Sequence, residues 1–434
     1  MKLFDWSLRL QGYDIAFAKA ELKRIQVSLH KNYLEEAKKT IVNHHKQHNL
    51  FYQNFAGTET LWNWEDIPIM TKADLQQPLQ QRLSKGYTLK NIHKGKTSGS
   101  SGHPFTFAKD KMSHALSWAS FYNRYSWYNI DINSAKQARF YGIPLDFIGY
   151  QRERLKDRLG NRYRFPIFDL SDHKMQSILK KIKTTPFDYI NGYTSSIVLF
   201  AKYLKRHNII LTDICPSIKA CIVTSEMLFE NDKKLLKHQF NIPIINEYGA
   251  SEIGLIAFQN KDNELEVDND LLFVEILDDY DNVLPDGEIG RIVVTSLYNK
   301  AHPFIRYEIG DMGSLSRNLK NNTSILSKLQ GRTNDIATLP SGKIVPGLTF
   351  YYVTKTLIEE SGNVSEFVIE QTKIDTFKFI YTAKRELTSS EKEAIKQATY
   401  TYLEKGLTLY FEKIAILDRS NRGKLKQFKN YMKR

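Results

Sequence analysis

Between Lys96 and Pro104 the chain reads Lys-Thr-Ser-Gly-Ser-Ser-Gly-His-Pro. Thr97, Ser98, Gly99, Ser100, Ser101 and Gly102 place four hydroxyls and two glycines in six positions. Small side chains on a pliable backbone let N–H and O–H donors close around phosphate oxygens. A Walker loop is excluded, because it needs a glycine five positions before Gly95, where Lys90 stands. A serine-hydrolase elbow is excluded too: Gly99-Ser100-Ser101-Gly102 does not satisfy G-x-S-x-G.

Further along lies Asn-Glu-Tyr-Gly-Ala-Ser-Glu-Ile-Gly, Asn246 to Gly254, after an apolar run expected to be a buried strand. Tyr248, Gly249, Ala250, Ser251 and Glu252 would then stand at the carboxyl end of a parallel strand, where α/β folds bind ligands. The Tyr248 ring can stack on a purine, and Glu252 can hold Mg2+ beside phosphates. A third segment, His302 to Gly313, places Asp311 after an expected turn at Gly310. Its carboxylate can accept hydrogen bonds from ribose hydroxyls, and Arg306 can face phosphate. Two more segments follow: Gly331 to Gly347, and Arg419 to Phe428 with Lys424 after a glycine.

Such residues need a scaffold, and the composition supplies one. Of 434 residues, 41% are apolar and 25% charged, which excludes a disordered or fibrous chain. No run approaches the roughly 18 apolar residues of a membrane span. The first residues meet Asp5 and Arg9, unlike a signal peptide, so a cytoplasmic protein is expected. With only Cys215 and Cys221, a disulfide scaffold or cysteine-only zinc site is excluded. The formal charge of +14 suits an anionic ligand. No nucleic-acid module is recognisable, so nucleic acid is not an expected partner. The basic stretches Arg152–Arg164 and Arg419–Arg434 read as solvated helix faces and tail. His44, His45 and His48 have metal-ligand spacing on a helix, but read more simply as a solvated face.

Residues 12–49 show helical periodicity, and Thr71 with Asp74 opens a short helix. From 108 to 245, helical segments (173–184, 194–207, 229–239) separate short apolar runs, as in a parallel α/β sheet. From 264 to 316, strands with turn signals indicate an antiparallel β region. Strands at 366–371 and 377–382 and helices at 349–361 and 389–404 follow. The expected fold class is α/β: a large N-terminal domain, 1–331, of parallel α/β sheet plus a β region, and a small C-terminal α+β domain, 332–434.

Taken in order, these motifs resemble the adenylate-forming superfamily of acyl-CoA synthetases, and most of all the phenylacetate–CoA ligase and CapK-type branch. His103-Pro104-Phe105 after the loop and the form Tyr-Gly-Ala-Ser-Glu carry that closer likeness. The resemblance implies that Thr97 to Gly102 hold the β- and γ-phosphates of ATP. It places Ser225 and Glu226 near adenine, Tyr248 on the base, Glu252 at Mg2+ and Asp311 on ribose. Arg306 and Arg332 would lie close to the nucleotide. Lys424 matches the C-terminal catalytic lysine, with Lys426 the substitute if the alignment slips by two. Tyr141, Gly142 and Phe147 are the implied acyl-pocket residues. The implied hinge between large domain and mobile lid is the stretch 332–335; Asn334 stands where many relatives carry Asp or Lys. The implied reaction joins a carboxylic acid to AMP, then passes the acyl group to coenzyme A. The alternative acceptor is an amine, hydroxyl or carrier in cell-surface polysaccharide synthesis.

Overall fold

The computed structural model describes residues 3–27, 32–57, 63–97, 105–144, 146–318, 323–330, 336–346, 349–350, 353–354, 363–415, 417 and 428–432. The chain forms two compact units. The first takes Met1–Thr97, Phe105–Asn133 and Ile245–Gly331; the second takes Ser98–Pro104, Ser134–Ile244 and Arg332–Arg434.

In the first unit the strands Leu272–Leu277, Gly290–Ser296, Tyr307–Asn318, Thr323–Gln330, Leu265–Val267, Gly254–Gln259 and Ile244–Ala250 lie side by side in that order. Every neighbour pair among them is antiparallel. A hairpin of Ile92–Lys96 and Thr106–Asp110 stands apart as its own sheet. The helical stretch expected over 12–49 is two helices, Ile15–Val27 and Tyr33–His48. The first buries Ile15, Ala18, Leu22 and Ile25 along one stripe. Thr71 does bond Asp74, through its N–H at 2.8 Å and its hydroxyl at 2.6 Å. Only a single tight turn, Asp74–Gln76, follows.

Of the three histidines of the second helix, His48 is exposed as expected, but His45 is not on a solvated face. His45 is fully buried, with Nε2 2.9 Å from the Asn299 carbonyl and Nδ1 3.2 Å from the Ser84 hydroxyl. His44 Nε2 lies 3.0 Å from the Lys300 carbonyl. Both therefore fasten the helix to residues 299–300. Burial pushes His45 down to about 3 and His114 down to about 2, and lowers His302 well below the ordinary value. These rings stay neutral in the folded unit but take up protons in the unfolded chain below about pH 6.5. Stability therefore falls as pH falls through that value, by about 2 kcal/mol for each such histidine on reaching about pH 5. Denaturant titrations at the two pH values check this, and equal unfolding free energies would contradict it.

In the second unit, Ala220–Thr224, Tyr189–Tyr193, Gln137–Phe140 and Arg162–Phe165 are neighbours in that order, all parallel. The helices Asp172–Lys183, Thr194–Arg206 and Glu230–Phe240 alternate with them, close to the expected bounds. One sheet face is apolar: Ala138, Phe140, Phe165, Ile190, Cys221 and Val223 join Ile178, Ile197, Phe200 and Phe240 in one core. Burying each of the large side chains contributes about 1.5–3 kcal/mol. One division between the units falls between Gly331 and Arg332, and 332–434 groups with 134–244. Leu170 N–H donates to the Ile344 carbonyl at 3.0 Å, and Phe168 meets Tyr402 edge-on with ring centroids 5.2 Å apart. A further sheet orders Thr408–Lys413, Thr376–Ala383, Val364–Lys373 and Phe428–Asn430. Among the described residues, no helix is long and apolar enough to cross a membrane.

Candidate active site

The residues that flank the hydroxyl-rich segment in sequence belong to the hairpin of the first unit. Its last ladder pair is Lys96 opposite Thr106. Thr97 N–H then donates to the Phe105 carbonyl, and Phe105 N–H donates to Thr97 Oγ1, both at 3.0 Å. Thr97 is 7% exposed, and of its donors only the hydroxyl proton is left to donate. Ser98, Gly99, Ser100, Ser101 and Gly102 lie outside the described residues.

The segment from Asn246 does not follow a strand; it is one. The strand Ile244–Ala250 runs through Tyr248 and Gly249 and turns back at Ser251 into Gly254–Gln259, with Ala250 opposite Gly254. Small residues let the two backbones close: a Cβ on Gly249 would stand 2.5 Å from the Gly254 carbonyl oxygen. Ser251 is exposed at the turn while Glu252 is 4% exposed. Gly310 is likewise not a turn. It lies inside the strand Tyr307–Asn318 with φ +86°, where the register against Arg291–Val293 shifts. Such a bulge re-aims the side chains beside it. As a result the Tyr248 hydroxyl donates to Asp311 Oδ2 at 3.0 Å, joining the expected base-stacking and ribose-binding residues.

Glu252 Oε1 accepts a 2.9 Å hydrogen bond from the Tyr307 hydroxyl. Beside it lies Lys109, 5% exposed, whose ammonium donates to the Ile253 carbonyl at 2.9 Å. Burial pushes Lys109 down to about 8, and the Glu252 charge opposes that shift. Sequence reasoning missed Lys109. Its signal was a lysine two residues beyond Phe107 in a strand, sharing that ring's inward side.

Arg306 requires a correction. Expected to face phosphate, it is 0% exposed. Its Nη1 donates to the Glu65 and Ile67 carbonyls at 2.8 and 2.7 Å, and Nε lies 3.5 Å from Glu275. With φ +45°, the residue itself occupies the left-handed region. The reason is local charge: Glu275, 1% exposed, needs a cation inside the unit, and Arg306 supplies it. Arg306→Met should cost about 3–5 kcal/mol by leaving that carboxylate buried and unpaired. Thermal unfolding checks this; the double variant with Glu275→Gln should regain most of the loss, and a neutral single variant would contradict the assignment.

In the second unit, Ser225 follows the strand Ala220–Thr224 with φ +69°. That turn brings Glu226 to the start of the helix Thr194–Arg206, where Oε2 accepts from Ser195 N–H at 2.7 Å. A carboxylate at a helix N-terminus is favourable. Burial raises the Glu226 pKa, and hydrogen bonds from Ser195 oppose that. Tyr141 stands against Tyr193, ring centroids 4.7 Å apart, and the Gly142 carbonyl accepts from Arg164 Nη1 at 2.7 Å. Phe147, expected in an acyl pocket, is instead 78% exposed. Asp146 caps the helix Phe147–Leu159 by accepting Gly149 N–H at 2.7 Å, and its first turn faces solvent. Arg332, Asn334, Lys424 and Lys426 lie outside the described residues.

Among the described residues, no group of three or more His, Cys, Asp or Glu could hold a metal. Glu252, with one oxygen bonded to Tyr307, fits a Mg2+ that arrives with phosphates and needs a single protein carboxylate.

No protein-family model matches the chain. It is 24% identical to protein CapK of Staphylococcus aureus over 316 residues, 68% of this chain and 66% of CapK. It is 24% identical to the phenylacetate-coenzyme A ligase of Pseudomonas putida over 186 residues, 42% of each chain. The matches thus span just under two thirds of the first relative's length and less than half of the second's. Among solved structures, 2-hydroxyisobutyryl-CoA ligase with 2-HIB-AMP and CoA in the thioesterification state superposes with a TM-score of 0.57 at 15% identity. That match covers 92% of this chain and 89% of the other. An open conformation of the same ligase gives 0.55 at 16% identity, over 92% and 91%. The chain is therefore similar in sequence to CapK and phenylacetate-coenzyme A ligase and has the fold of 2-hydroxyisobutyryl-CoA ligase.

Proposed function

We propose that this protein activates a carboxylic acid with ATP through an acyl-adenylate and then transfers the acyl group to coenzyme A. The observation that carries the reading is the bond between Tyr248 and Asp311, two residues marked separately for base and ribose. The names of its sequence relatives and the ligase fold support it.

A carboxylate is a poor electrophile, and its attack on a phosphate brings two anions together. The carboxylate oxygen attacks the α-phosphorus, the bond to the β-phosphate oxygen breaks, and pyrophosphate leaves. The thiol sulfur then attacks the acyl carbon, loses its proton and expels AMP. Thr97 to Gly102 hold the β- and γ-phosphates, with Ser225 and Glu226 beside the adenine that Tyr248 covers. Asp311 accepts from ribose hydroxyls, and Arg332 stands near the nucleotide. Glu252 would hold Mg2+, which neutralises phosphate charge when bound. Lys424 supplies the ammonium between the acid's carboxylate and the α-phosphate, on a C-terminal lid, 332–434, that pivots near Asn334. Tyr141 and Gly142 border the acyl group. Such chemistry belongs in the cytoplasm, where ATP and coenzyme A are abundant.

The CapK match, longer than that to phenylacetate-coenzyme A ligase, favours a second reading of the acceptor only. There the acyl group passes to an amine, hydroxyl or carrier in capsular or other cell-surface polysaccharide synthesis. Pyrophosphate release over a panel of acids, with and without coenzyme A, tests both. A thioester product supports the first; adenylation without any thioester supports the second; silence with every acid contradicts both.

A further inference from the structure

The polar face of the parallel sheet in the second unit is rich in cations. Arg139 lies on it, with Arg164 opposite on one neighbouring strand and Asn191 opposite on the other. Arg164 takes both nearby carboxylates: Asp157 through Nε and Nη2, each at 2.9 Å, and Glu153 through Nη2 at 2.8 Å. Glu153 is shared with Lys156 at 2.7 Å, and Asp157 with Arg162 at 3.7 Å. Both carboxylates are thereby committed. The basic stretch that the sequence presented as a solvated face is in part this inward network.

Arg139 is left over. Among the described residues no carboxylate lies within 4.0 Å of its guanidinium. Its Nε is buried without a hydrogen-bond partner, and Nη1 has only a long 3.5 Å contact to Gln137 Oε1. The guanidinium carbon lies over the Tyr141 ring, 3.9 Å from its centroid, and Tyr141 meets Tyr193. Arg162 lies close enough for Arg139 to disfavour its charged form. A partly buried fork with no counterion among the described residues, beside a second cation, is costly unless an anion arrives. Its place is also the usual one for a ligand: Tyr141 and Tyr193 stand at the carboxyl ends of adjacent parallel strands.

We propose that the acid activated by this protein carries a second carboxylate, that Arg139 receives it through its guanidinium fork, and that Tyr141 and Tyr193 wall the intervening carbon skeleton. This rests on the adenylation reading and names its substrate class: a dicarboxylic acid of which one end is activated. A planar guanidinium matches a carboxylate bidentately, whereas a lysine in its place would offer only a point charge.

The test compares matched acids that differ by one carboxylate: adipate against hexanoate, and para-carboxyphenylacetate against phenylacetate. Pyrophosphate release should favour the diacid of at least one pair in kcat/KM. Arg139→Met should lower the diacid-to-monoacid ratio by about 10- to 100-fold, the scale of a charge-assisted hydrogen-bonded pair. Arg139→Lys should recover part of that ratio. Calorimetric binding of the diacid without ATP reads the inference separately from adenylation. Diacid binding that Arg139→Met abolishes, with no pyrophosphate from any acid, would sustain the inference and sink the adenylation reading. Pyrophosphate from monoacids, with no diacid preference in the wild-type protein, would do the reverse. A rise in KM for ATP or coenzyme A alone would assign Arg139 to those anions and overturn the proposal. If Arg139→Met fails to fold, the wild-type ratio and Arg139→Lys decide.

Discussion

Lys424→Ala should lower the rate of adenylate formation by about two to four orders of magnitude, the scale of removing a positioned charge stabiliser. The effect belongs to the transition state. As the carboxylate oxygen approaches the α-phosphorus, negative charge accumulates on the non-bridging oxygens, and an ammonium aimed there is worth more than in water. The loss should therefore fall on kcat, with ATP binding changed little. The thioester step, started from a supplied acyl-adenylate, should be nearly unaffected. Lys426→Ala is the paired control: if it takes the larger loss, the catalytic lysine is Lys426. An unchanged rate in both variants would remove the C-terminal lysines from the mechanism.

Glu252→Gln should lower kcat/KM by about two to three orders of magnitude, and the variant should need far more Mg2+ to saturate. Glutamine keeps an acceptor for the Tyr307 hydroxyl, so that 2.9 Å bond can persist while the charge is lost. Manganese binding in the presence of ATP, read by electron paramagnetic resonance, should weaken in parallel. The same change removes the anion beside buried Lys109 and should destabilise the protein by about 1–3 kcal/mol. Lys109→Met combined with Glu252→Gln should restore stability without restoring activity. That split separates the metal role of Glu252 from its role as a counterion. Normal Mg2+ dependence in Glu252→Gln would assign it to structure alone.

The expected site residues stood out in the sequence where the signal was chemical and local. Glycine and hydroxyl density singled out Thr97 to Gly102, of which Thr97 alone is described, paired with Phe105 at the end of a hairpin. Tyr248 and Asp311 were marked on separate segments, and the fold brings them to 3.0 Å. Alternation of apolar runs with helical periodicity over 108–245 pointed to a parallel sheet, which 137–224 form, and located three of the helices between its strands, because that pattern is the core's own. What escaped was set by long-range contacts. Nothing near Arg306 in sequence announces Glu275, and nothing near His45 announces Asn299. Lys109 reads as an ordinary strand lysine until the turn at Ile253 lies beside it. Glycine misled once: Gly310 signalled a turn but permits a bulge, while Gly249 permits close backbone approach inside a strand.

Adenylation is tested most directly by supplying ATP, Mg2+ and a heavy-oxygen-labelled acid without coenzyme A, and then following the label. Carboxylate attack on the α-phosphorus leaves a labelled oxygen bridging carbon and phosphorus. The expected result is an acyl-AMP by mass spectrometry and, after a nucleophile releases the acyl group, AMP carrying heavy oxygen. Label in inorganic phosphate, with ADP as the nucleotide product, would instead mean attack at the γ-phosphorus and would contradict the proposed chemistry.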